Sequence, residues 1–121
     1  MSDPALDDRF RAACGRLEAL FAEVLDAREA ARDDPATWAG WAVRFNQRLR
    51  GARSELAITM PPPEAADPRL SPLYEAGIAV RAFCDEVNRA LQGHPAEIAR
   101  RRIETERALR LAWDAAAGDA L

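Results

Sequence analysis

One histidine and two cysteines supply every imidazole and thiol group of the 121-residue chain, and the cysteines, Cys14 and Cys84, stand 70 positions apart. A bound zinc or haem takes several such ligands at close spacing, usually in Cys-x-x-Cys or Glu-x-x-His pairs, and neither pattern occurs. No metal or other cofactor is therefore expected. A helical nucleotide pyrophosphatase needs several carboxylates converging on magnesium; here Glu23-x-x-Asp26 has no Glu-x-x-Glu ahead of it. Gly-rich phosphate loops and nucleophile elbows are also missing from the sequence.

The groups that remain are better suited to binding than to bond making. Arg44, Arg48, Arg50 and Arg53 face only Glu55, which gives the stretch from Pro35 to Ile58 a charge of +3. Arg100, Arg101 and Arg102 form a second cluster, and Arg102 and Glu106 lie one helical turn apart on a face shared with Ile98, Leu109, Trp113 and Ala116. Such a pair is expected either buried, with Asn46 or Asn88 offsetting its desolvation, or at an interface with another chain. Trp38, Trp41 and Trp113 are candidates for the lining of a small apolar ligand pocket between helices.

The segment Arg89-Ala90-Leu91-Gln92-Gly93-His94 resembles the Arg-x4-6-His signature of the HEPN ribonucleases, a family of small all-helical and usually dimeric domains. That resemblance implies His94 in general acid/base work on an RNA 2′-hydroxyl and Arg89 supporting the phosphate. The match covers six residues and lacks the polar residue after the Arg and the aromatic after the His. Gly93-His94-Pro95 also reads as an interhelical turn, with His94 capping a helix. Trp38-Ala39-Gly40 resembles the Trp-x-Gly turn of small secreted two-helix proteins, but it falls inside a predicted helix, where Trp38 and Trp41 fill a core.

These residues must be carried by helices. The chain holds 27 Ala and 12 Leu against 11 Val, Ile and Thr together, which favours helix and supplies sheet poorly. Helix starts are marked by Asp3-Pro4, Asp34-Pro35, Ser71-Pro72 and His94-Pro95, a capping residue followed by a proline whose missing N–H costs nothing there. Between them apolar residues recur at steps of three and four, as Leu6, Phe10, Ala13, Leu17, Leu20 and Val24 do. The spacing predicts helices over about 4–32, 35–58, 72–92 and 95–117, with a Pro-rich linker over 59–71. Short connections make antiparallel hairpins. The expected fold is thus all-α, an antiparallel four-helix bundle of two helical hairpins, with a hairpin-swapped dimer as the alternative.

All 17 basic residues are Arg, as GC-rich coding produces, and the formal charge is −3. Neither phosphate backbones nor anionic membranes are attracted by such a balance overall. The longest stretch without a charge is nine residues, Pro35 to Val43, where a membrane span takes about 20. A cytoplasmic, single-domain chain follows, with both thiols reduced. The functional expectation is a non-catalytic helical module that binds another protein or itself, using Arg102, Glu106, Arg44 and Arg48; nucleic acid and membrane are not expected partners. The alternatives are the Arg89/His94 ribonuclease or nucleic-acid binder, and a bundle holding a small apolar ligand beside the tryptophans.

Overall fold

The structure is a computed structural model that describes residues 4–31, 40, 43–44, 47–48, 50–52, 54–56, 58, 60–61, 63–91 and 97–117. Helix α1 spans Pro4–Ala31, every described residue of α2 over 40–58 is helical, α3 spans Leu70–Leu91 and α4 spans Ile98–Ala116. One 3₁₀ turn, Pro63–Ala65, lies between α2 and α3. There is no strand among the described residues, and the packing is that of an all-α four-helix bundle.

Polar contacts between helices fix their relative directions. Arg9 reaches the carbonyls of Ile58 and Met60, Arg16 pairs with Glu55, and Glu23 pairs with Arg48, so α1 and α2 run in opposite senses. Glu86 accepts the N–H of Glu97 and Thr105 lies on the carbonyl of Ala79, so α3 and α4 also oppose. Asp7 and Phe10 meet Arg69 while Phe21 meets Phe83, which makes α1 and α3 parallel.

The core is built from the predicted stripes. Phe10, Ala13, Cys14, Leu17, Leu20, Phe21 and Val24 are buried on α1; Leu73, Ala76, Val80, Phe83, Cys84 and Val87 are buried on α3. Phe21 and Phe83 pack edge to face with ring centroids 5.0 Å apart, a geometry the ring quadrupoles favour. Each buried Phe, Leu or Val side chain contributes about 1.5–3 kcal/mol of burial.

The expected starts of the last two helices need correction. Helix α3 begins at Leu70, two residues before the predicted Pro72. The signal is Asp67-Pro68: the Asp67 carboxylate accepts the N–H of Arg69 at 2.9 Å, and Arg69 is the residue whose carbonyl takes the first helical bond, from Leu73. Pro72 then sits in the first turn, where the N–H that proline lacks would have had no helical partner. Helix α4 begins at Ile98 rather than Pro95. The linker is tied down at several points: Pro61 is buried, its carbonyl accepts the Tyr74 hydroxyl at 3.2 Å, and Ala66 takes a left-handed conformation with φ of 51°.

Candidate functional site

Among the described residues, two clefts flank α2. The first lies between α1 and α2, has a volume of about 660 Å³ and is lined by Ala19, Ala22 and Ala27 together with Glu23, Asp26, Arg44 and Arg48. The opposed directions of α1 and α2 set this register, bringing Glu23 and Arg48 into an ion pair and placing Arg16 on Glu55 at 2.6 Å one step further along. Exposed pairs of this kind add little stability. Arg44 and Arg48, expected from sequence as binding residues, thus share one wall of a cleft with two carboxylates opposite.

The second cleft is an apolar groove of about 530 Å³ between α2 and α3, with α1 beneath it. Leu17 and Leu20 come from α1, Leu56 from α2 and Met60 from the chain just after it. From α3, Val80 and the buried Cys84 line the depth of the groove while the exposed Ile78 and Arg81 stand at its rim. Gly77 opens the α3 wall, since a Cβ there would meet nothing within 4 Å. The groove leaves little mark in the sequence. Its trace was a glycine on an apolar stripe beside a large apolar residue, Ile78, that lies off the stripe.

The other predicted residues are not gathered into one place. Arg102 and Glu106 bond to each other at 3.0 Å, and their side chains are 52% and 49% exposed, so of the two placements expected for the pair the buried one is corrected. The polar residue on the core face of α4 is Thr105, fully buried, whose hydroxyl lies 2.6 Å from the carbonyl of Arg101 and 3.1 Å from that of Ala79. Trp113 does not line the apolar groove; its Nε1–H donates to Glu18 at 2.7 Å and joins α4 to α1. Trp38, Trp41 and His94 lie outside the described residues. Arg89 pairs with the buried Glu86 at 3.3 Å.

Both cysteines are buried and neither is in a disulfide. Burial pushes the Cys14 thiol up to about 11, and the charge of Glu18 one turn on pushes the same way. No thiolate nucleophile is available there near neutral pH. Among the described residues no group of three His, Cys, Asp or Glu is placed to hold a metal ion, and no helix is long and apolar enough to cross a membrane. Comparison of the chain with known protein families, with curated proteins and with solved structures finds no match.

Proposed function

We propose that the chain is a non-catalytic helical interaction module that docks a helix of another protein, or of a second copy of itself, on the cleft between α1 and α2. The observation that supports this reading is the alanine lining with charge of both signs on its walls. Small side chains let a second backbone approach closely, and Arg44 and Arg48 opposite Glu23 and Asp26 set the orientation of what docks. A mixed-sign cleft suits a protein better than a nucleic acid, whose phosphates the two carboxylates repel. Two buried cysteines outside any disulfide suit a reducing compartment such as the cytoplasm.

The test is affinity purification from the protein's own source cells, with sedimentation of the isolated chain to read self-association. Ala22→Trp fills the cleft and Arg44→Glu reverses one wall; both residues are exposed, so helicity by circular dichroism is expected to stay unchanged. A stoichiometric chain, or a self-associated form, is expected with the native protein and lost with both variants. Retention of the same partner by both variants, or the absence of any partner and of self-association, overturns the reading.

A further inference from the structure

We propose that the groove between α2 and α3 binds a single-chain amphiphile with an anionic head, a long-chain carboxylate, with the tail in the apolar trough and the head on Arg81. This site is distinct from the cleft on the other flank of α2 and does not depend on it. Its volume of about 530 Å³ falls within the roughly 300–1,000 Å³ of small-molecule sites. The α3 wall runs from Tyr74 to Cys84, about 15 Å of helix at 1.5 Å per residue, so the trough is long enough to take an extended alkyl chain. Gly77 keeps the wall clear midway along it.

The head group follows from the polar inventory of the groove. Tyr74 already donates its hydroxyl to the Pro61 carbonyl. Arg81 is exposed at the rim and makes no ion pair among the described residues. A guanidinium holds a carboxylate through two parallel charge-assisted hydrogen bonds, which a neutral head cannot match. A second copy of the chain fits less well. The exposed apolar pair of α4, Ile103 and Leu111, brackets Arg107, which would set a cation against Arg81. Ile78, 69% exposed, is apolar surface that an alkyl chain covers.

The experiment is a titration of protein carrying labelled Ile, Leu and Val methyls with dodecanoate below its micelle threshold, and in parallel with dodecanol. Saturable one-to-one binding is expected, moving the methyls of Ile78, Leu56 and Leu20 and not that of Leu109 on α4. Arg81→Gln is expected to weaken dodecanoate about tenfold, the worth of one charged hydrogen bond at an accessible site, and to leave dodecanol unchanged. Gly77→Phe blocks the trough to both; Ile78→Glu, at an exposed position, serves the same end where the bulkier variant fails to fold. Equal affinity for dodecanol and dodecanoate, indifference to Arg81→Gln, or shifts spread as far as Leu109 would each overturn the proposal.

Discussion

Arg69 engages two carboxylates and an aromatic ring at once. Its Nη1 donates to Asp7 at 2.6 Å, its Nη2 and Nε hold both oxygens of Asp67 at 2.7 and 3.0 Å, and its guanidinium lies 4.2 Å from the centre of the Phe10 ring. The side chain is only 16% exposed, so these bonds are worth more than those of a surface pair. Arg69→Met keeps an unbranched stem over Phe10 but strands both carboxylates, and is expected to cost about 1–3 kcal/mol in a denaturant titration. The cluster also sets an acid limit. Hydrogen bonds from Arg69 hold the Asp67 carboxyl below its ordinary value. A carboxyl whose folded pKa is depressed contributes stability that is fully present above its unfolded value of about 3.9 and is lost as pH falls through the folded value. The native protein should therefore lose stability more steeply below pH ~4 than Asp67→Asn does, as read from urea midpoints across that range.

At the scale of elements, Glu86 is what joins the end of α3 to the start of α4. It is buried, accepts the backbone N–H of Glu97 at 3.1 Å and pairs with Arg89 at 3.3 Å. Its charge sits at the positive end of the α4 dipole. Glu86→Gln keeps an acceptor for Glu97 and is expected to cost less than about 1 kcal/mol, whereas Glu86→Ala leaves that N–H without its acceptor and costs about 1–3 kcal/mol, compared by thermal unfolding. The two helices show why some elements were legible in the sequence and others were not. The stripe of α3 is regular because Leu73, Val80, Cys84 and Val87 all face one core, and periodicity alone reveals that. The core face of α4 carries Thr105 among Leu109, Ala112 and Ala116. A polar residue satisfied by a neighbouring helix's carbonyl has no mark in its own sequence. Arg102 and Glu106, on the shoulder of that face, were therefore read as part of it. The α2/α3 groove was illegible for a related reason, since its lining comes from α1, α2 and α3 together, and no spacing within one helix records that.

At the scale of the whole molecule, the remaining choice is between closure within one chain and exchange of hairpins between two. The start of α1 is where both ends of the linker meet: Arg9 holds the carbonyls of Ile58 and Met60 at 3.2 and 3.0 Å, and Asp7 holds Arg69 at 2.6 Å. Two ends gathered on Asp7 and Arg9, within one turn of helix, need no long reach. The residues in between are taken up by the 3₁₀ turn, the left-handed Ala66 and the buried Pro61, pinned by Tyr74. A swapped form would have to open the Tyr74–Pro61 bond and turn the Asp7–Arg69 pair into an intermolecular one, with no new contact in return within the linker. The fold is thus expected to close in cis. Unfolding of a swapped dimer is coupled to dissociation, so its Tm rises with protein concentration, while that of a chain closed on itself does not. In Ala22→Trp, where docking of a second copy in the α1/α2 cleft is blocked, the predicted outcome is a Tm that stays constant over a hundredfold range of concentration. A Tm that climbed with concentration, and a Tyr74→Phe variant that steepened the climb, would show that the linker spans two molecules and that the contacts at the start of α1 are made between chains.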